Sequence, residues 1–236
     1  MGSIDFLTVP NSSALVLNPT PATANLPRSW LAPPMTITRP LRIGFIGGGL
    51  NSSIGATHFA AARLDGLWQV ASGFFSRDDS VNRDTGQAWR INPKRTYGSL
   101  ESFIDGEAGC LDAVAVLTPI PSHCPISVAL LRAGFNVISE KPLAGTVSDG
   151  LSIRQAAADA ESDLLVTLNY SGYPMLRELR ARVADGQFGK IHAVHVEMPQ
   201  ETFLRRDRDG NPPSPQDWRQ VDGEIPTVSL DLGIHV

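Results

Sequence analysis

From Leu41 onward, short apolar runs alternate with helix-like stretches of about 10–15 residues, a rhythm that few folds accommodate. The runs are Leu41–Gly47, Trp68–Phe75, Ala113–Leu117, Phe135–Ser139 and Leu164–Leu168. Helical spacing occupies Ile54–Leu64, Asp79–Trp89, Pro121–Ala133 and Ser148–Ala160. Pro121 falls where a first-turn proline is favoured and Ser148 where an N-cap is favoured. A run that is apolar throughout must be covered on both faces, and parallel neighbours need a crossover between them. The alternation therefore predicts an α/β fold of repeated βαβ units, with five strands in a parallel sheet.

Flanking segments read differently. Residues 1–40 hold seven of the 18 prolines and only three charged side chains, Asp5, Arg28 and Arg39, with no apolar period to bury. They are expected to form an extended or disordered leader, and Met35 offers an alternative start of translation. Residues 41–165 form the expected first domain and 166–236 the start of a second. In the latter, Met175–Val183 is amphipathic, Ile191–Met198 alternates as an antiparallel strand does, and 205–222 reads as a polar, proline-rich loop carrying Trp218 over a site.

Composition narrows the partners. Twenty Lys and Arg against 24 Asp and Glu give a net charge of -4, so there is no global basic field to hold a nucleic-acid backbone. No apolar stretch approaches the ~20 residues of a membrane span, and the first residues lack the basic and apolar segments of a secretory signal. Two cysteines, Cys110 and Cys124, make no disulfide framework and lack metal-ligand spacing, so a reducing, cytoplasmic setting and no metal site are expected.

Chemistry concentrates in four places. After the first run, Gly47-Gly48-Gly49-Leu50-Asn51-Ser52-Ser53-Ile54-Gly55 opens a helix. Glycines there let the backbone approach a pyrophosphate, and the helix N-terminus attracts its charge. Gly47, Gly48, Gly49, Asn51, Ser52 and Ile54 are the candidate cradle, although Ser52 stands where G-x-G-x-x-G has its third glycine and Gly55 comes three residues late. After the second run, Phe75-Ser76-Arg77 replaces the acid that usually holds the ribose hydroxyls. Ser76 and Arg77 suit a 2′-phosphate and favour NADP, while Asp78 keeps NAD open. Lys141, at the carboxyl end of a parallel strand, is delivered to the ligand crevice, where an ammonium can stabilise a developing alkoxide. Asp231 and His235 are four residues apart, which puts them on one face if that stretch is helical, with the imidazole as general base.

Together these motifs resemble the glucose-fructose oxidoreductase, inositol dehydrogenase and rhizopine-catabolism (Gfo/Idh/MocA) family of NAD(P)-dependent oxidoreductases. The resemblance covers roughly residues 41–236. It rests on the GFIGGG turn and the run from Ile46 to Gly66, on Val116-Leu117-Thr118-Pro119 with His123, and on Glu140-Lys141-Pro142. Further support comes from Asn169-Tyr170-Ser171-Gly172-Tyr173-Pro174, Phe188-Gly189-Lys190-Ile191, and Asp231 with His235. It implies a Rossmann domain, doubly wound, followed by an α/β domain with a mainly antiparallel sheet. It also implies that Thr118, Pro119, His123, Glu140 and Lys141 line the cofactor, often with a cis peptide before the proline. Lys141, Asp231 and His235 would be catalytic, with Asp231 orienting His235. Asn169, Tyr170, Tyr173 and Trp218 are the candidate substrate contacts.

The chain departs from the family pattern in three ways. Tyr170 and Tyr173 stand where many members have an arginine after the asparagine, and Gly223–Ser229 replaces the usual glycine-rich lead-in to Asp231. Members also run well over a hundred residues longer, so the second domain is expected to be truncated, leaving an exposed sheet edge. The implied activity is hydride transfer between NADP or NAD and a secondary alcohol of a sugar, cyclitol or related polyol. Two alternatives are a non-catalytic dinucleotide-binding regulator, as in a galactose-pathway repressor of the same fold, and an inactive truncated relative. Homo-oligomers are expected only of a full-length form.

Overall fold

A computed structural model describes residues 38–199 and 204–235 of the chain. The expected leader and the alternative start at Met35 lie outside the described residues, except for the last three leader positions. Five parallel strands, β1 (Leu41–Gly47), β2 (Trp68–Phe74), β3 (Ala113–Leu117), β4 (Val137–Ser139) and β5 (Leu164–Val166), form one sheet in the order β2-β1-β3-β4-β5. The connections are α1 (Ser53–Leu64), α2 (Asp79–Ala88) with α3 (Leu100–Glu107), α4 (His123–Arg132) and α5 (Val147–Ala160). This is the expected Rossmann sheet.

β3 shows why the apolar runs are continuous. Val114 and Val116 face a cluster with Phe103, Leu130, Leu131 and Ile153, whereas Ala113, Ala115 and Leu117 face Phe45, Val70, Phe75 and Ile91 on the other side. Helices α3, α4 and α5 cover the first face; Ile54, Phe59 and Ala62 of α1 help to cover the second, where Trp89 stacks on Phe59 at 4.4 Å. The inner strands of such a sheet are dry on both sides, whereas Leu165 on the edge strand β5 is exposed.

Local details differ from the reading of the sequence. Helix α5 is capped by Thr146, whose hydroxyl accepts from the Asp149 amide at 3.1 Å, so Ser148 lies inside the helix. Pro121 belongs to a separate 3-10 turn, Ile120–Ser122, before α4. Helix α3 was absent from the sequence pattern; Ser99 and Ser102 form its capping box. At the end of α3, Glu107 is fully buried and takes bidentate hydrogen bonds from Arg95, with the Tyr97 hydroxyl donating at 2.9 Å. Burial, followed by that bond to Glu107, pushes the Tyr97 phenol up to about 12.

Beyond Val166 come a short turn, Asn169–Gly172, and α6 (Pro174–Ala184), in good agreement with the amphipathic segment. Ile191–Met198, expected as a strand, is not one: among the described residues no strand pairs with it, and Ile191, Val194 and Val196 are exposed. Alternation makes a strand only when another strand takes its backbone hydrogen bonds. Among the described residues no strand follows Val166, so the expected second sheet is not formed. No described helix is long and apolar enough to cross a membrane.

Candidate active site

The strand order reverses direction between β1 and β3, which opens a crevice at their carboxyl ends. Gly47 and Leu117 are register partners there. The chain leaves β1 through Gly47 and Gly48 at φ +80° and +74°, a left-handed path that other side chains rarely take. A Cβ on Gly48 would meet Leu117 Cδ1 at 2.8 Å. Gly49 donates its amide to Phe75 O at 3.1 Å and Leu50 donates to Thr85 Oγ1 at 3.0 Å, which fastens the turn to the end of β2 and to α2. Ser52 is the N-cap of α1, its hydroxyl accepting from the Gly55 amide. Asn51 is exposed beside it, whereas the Ile54 side chain packs against the core.

Gly55 resolves the irregular motif. A Cβ there would lie 1.8 Å from Gly48 O, so helix and turn meet backbone to backbone. Gly55 thus takes the close-packing part of the third glycine, and the three extra residues are absorbed in the turn. At the β2 end, Arg77 is exposed and Ser76 Oγ accepts from the Asp78 amide at 3.1 Å. The Asp78 carboxylate is committed to capping α2, accepting from the amides of Ser80 and Val81 and from Ser80 Oγ, bonds that hold it below its ordinary range.

The floor of the crevice is built from three strand ends. Thr118 Oγ1 is buried with no hydrogen-bond partner among the described residues, and Pro119 is exposed beside it. His123 lies behind this lining, 1% exposed, with Nδ1 2.8 Å from Pro142 O and Nε2 2.7 Å from Thr118 O. It straps the two segments together from beneath and does not present its ring to a ligand. The Lys141-Pro142 peptide is cis, as the resemblance implies. The Glu140 carboxylate is likewise spent inside the protein. It accepts from His58 Nε2 at 2.6 Å, from Thr167 Oγ1 at 2.7 Å and from the Lys141 amide at 3.2 Å. Burial opposes its ionisation, but the bonds from His58 and Thr167 outweigh burial and hold its carboxyl below the ordinary value. His58 and Thr167 carry no motif of their own, and the sequence reading missed both.

Lys141 reaches across to the far end of the chain. Its Nζ donates to Asp231 Oδ1 at 2.9 Å and to Asp231 O at 2.6 Å. The equal-face expectation for Asp231 and His235 does not hold, because α7 (Thr227–Asp231) ends at the aspartate and a 3-10 turn, Gly233–His235, follows. The carboxylate therefore faces Lys141 and Arg219, with Arg219 Nε donating to Oδ2 at 2.9 Å, and no described hydrogen bond joins it to His235. Burial opposes ionisation of Asp231, but Arg219 and then Lys141 prevail and lower its carboxyl. His235 Nδ1 is buried without a partner among the described residues, and the ring meets Tyr170 edge-on at 4.8 Å. Burial, then the Lys141 charge, brings the imidazole below its ordinary value of 6.5. Tyr173 packs on Tyr170 at 5.3 Å, Asn169 opens the same turn, and Trp218 supports the Arg219 guanidinium at 4.1 Å.

A glycine turn at the switch point, followed by a helix N-terminus, is the arrangement of a dinucleotide-binding Rossmann domain. Residues 41–168 match the family model described as "Oxidoreductase family, NAD-binding Rossmann fold", the Gfo/Idh/MocA family, and the chain belongs to that family. It is 32% identical over 201 residues, 84% of this chain and 51% of the relative, to the "Uncharacterized oxidoreductase YfiI" of Bacillus subtilis (strain 168). It is 25% identical to the "scyllo-inositol 2-dehydrogenase (NADP(+)) IolW" of the same organism, over 83% of this chain and 49% of that relative. An inositol dehydrogenase homolog from Azotobacter vinelandii, solved with NADH and myo-inositol, superposes with a TM-score of 0.62 and 33% identity, covering 65% of this chain and 41% of that one. The chain spans about half the length of the curated relatives it matches.

Proposed function

We propose that this chain carries the cofactor half and the catalytic groups of an enzyme that moves a hydride between NADP or NAD and a secondary alcohol of a sugar, cyclitol or related polyol. In this reading residues 41–165 hold the dinucleotide and residues 166–236 begin the substrate side. The observation that carries it is the convergence of Lys141, Asp231 and His235 at the mouth of the crevice. The residues present fit a dinucleotide: a turn of bare glycine backbone would meet the pyrophosphate, and the buried Thr118 hydroxyl lacks a partner among the described residues. The bound nicotinamide supplies the hydride acceptor or donor. In the oxidation direction Lys141 holds the substrate oxygen and stabilises the charge developing on it. His235, neutral near pH 7, takes the hydroxyl proton. The inositol dehydrogenases among the relatives support the cyclitol part of that substrate class.

The first test is titration of the purified chain with NADPH and NADH, read by nicotinamide fluorescence and by the rise in Tm that mass action requires. Saturable binding of either supports the reading; a folded chain that binds neither sinks it. With the nearby acid engaged as a helix cap, Arg77 is the group left for a 2′-phosphate. Arg77→Ala is therefore expected to weaken NADPH about 10- to 100-fold, the loss of one or two charged hydrogen bonds, and to leave NADH nearly unchanged. Equal losses for both cofactors would remove Arg77 from the site.

The lowered His235 value fixes a pH dependence. A base is competent only when deprotonated, so kcat/KM for alcohol oxidation is expected to stay on its plateau below the usual histidine range and to fall only under an inflection beneath 6.5. A pH-rate profile checks this, and His235→Gln should abolish that limb together with most of the rate.

A further inference from the structure

We propose that Arg219 is a positioning residue of this site: its guanidinium turns the Asp231 carboxylate toward the Lys141 ammonium and away from the His235 imidazole. The inference rests on the function proposed above and adds a residue to it. Asp231 has two carboxylate oxygens, and both are taken. Lys141 Nζ donates to Oδ1 at 2.9 Å, while Arg219 donates to Oδ2 through Nε at 2.9 Å and to Oδ1 through Nη2 at 3.4 Å. The three side chains are only 19–29% exposed, so the attraction is weakly screened.

The guanidinium is itself fixed. It lies over the Trp218 ring at 4.1 Å, and Nη1 donates to Gln216 Oε1 at 2.5 Å, the same oxygen that takes the Trp218 indole N–H at 2.8 Å. A planar fork that stacks on one face and bridges two acceptors at its edge is a geometry that lysine cannot reproduce. Lys141 alone would leave Oδ2 free, and with α7 ending at Asp231 that oxygen could turn to the imidazole four residues on. His235 faces Lys141, Asp231, Glu140 and the Tyr170 ring; of the two carboxylates, Glu140 already accepts from His58, Thr167 and the Lys141 amide, which leaves Asp231 as the one able to turn to the imidazole. By holding Asp231 away, Arg219 leaves the ring to act as a proton acceptor and keeps Lys141 anchored through a fixed counter-charge.

Two readouts on the full chain decide this. The first is the titration midpoint of the His235 Cε1–H signal by NMR, identified by its loss in His235→Gln. Arg219→Gln is expected to move the midpoint to higher pH, because the released carboxylate pairs with the imidazolium, and Arg219→Lys is expected to move it less. The second is kcat for polyol oxidation, expected to fall on the order of 100-fold in Arg219→Gln, with partial rescue in Arg219→Lys and unchanged NAD(P)H affinity. A His235 midpoint equal to that of the parent, in a variant that still binds cofactor, would overturn the proposal. If Arg219→Gln does not fold, Arg219→Lys decides by the same midpoint. If the parent chain oxidises no polyol, the functional reading fails, and the NMR result still decides the role of Arg219.

Discussion

Arg95→Ala is expected to cost about 3–5 kcal/mol of folding stability, the usual loss when one partner is removed from a buried ion pair. Glu107 ends α3 with no exposed surface, and Arg95 supplies both of the charged hydrogen bonds that it receives. The remaining donor is the Tyr97 hydroxyl, a neutral group that cannot balance a carboxylate. It has little room to adjust, since a Cβ on Gly106 would stand 2.5 Å from that oxygen. Arg95→Met combined with Glu107→Leu removes both charges and should recover most of the loss, because the cost comes from the stranded charge more than from the missing attraction. Urea unfolding of the two variants makes the comparison. A double variant as unstable as the single one would mean that the fit of these side chains, and not their charge, holds α3 against the sheet.

Gly55→Ala is expected to damage the fold and the cofactor site together. The added methyl would fall 1.8 Å from Gly48 O, far inside contact distance, with Gly48 C at 2.4 Å and no flexible side chain in the way to yield. Either α1 withdraws from β1 or the Gly47–Gly49 turn changes course. Overpacking of this kind costs about 1–3 kcal/mol or more, and either relaxation moves the backbone that would meet a pyrophosphate. Dinucleotide binding should be lost even under conditions where circular dichroism reports a folded chain. Retention of parental NADH or NADPH affinity would show that the turn and the helix do not need each other. Gly66→Ala is a suitable control: that glycine lies between α1 and β2, and an added Cβ would have nothing within 4 Å, although its φ of +72° carries some backbone strain.

What could be read from the sequence follows the range of the forces involved. The runs of β1, β2 and β3 are legible because burial on both faces makes most of their residues apolar, and all of them in β3, and the alternation with helices then points to the sheet type. Phe135 was read as strand because it is apolar, yet it packs in the core just before β4 begins at Val137. Helix α3 has only eight residues and buries just Phe103 and Glu107, too little to give a helical period. The glycine turn and Lys141 were found from local spacing and strand ends. Arg219, His58 and Thr167 were not, because each acts on a residue 12 to 82 positions away and has no neighbour in sequence to mark it. Asp231 and His235 are legible by type, but a spacing of four implies one face only where the helix continues, and α7 ends at Asp231.

All the fully buried apolar side chains among the described residues lie between Ile43 and Ala157, whereas Asp231, His235 and Arg219 lie beyond that range. The groups assigned to holding the dinucleotide and those assigned to handling the proton therefore belong to cooperative units of unequal strength. The described residues beyond Val166 contribute none of the buried apolar side chains, so their opening free energy is expected to be a small part of the global one, and their amides are expected to exchange with solvent through local excursions that leave the sheet intact. Lys141 stays behind on the rigid side at each such excursion. The link that closes between excursions is the carboxylate of Asp231, held between one cation from each unit, so the assembled site is expected to come apart at a denaturant concentration that leaves the sheet folded.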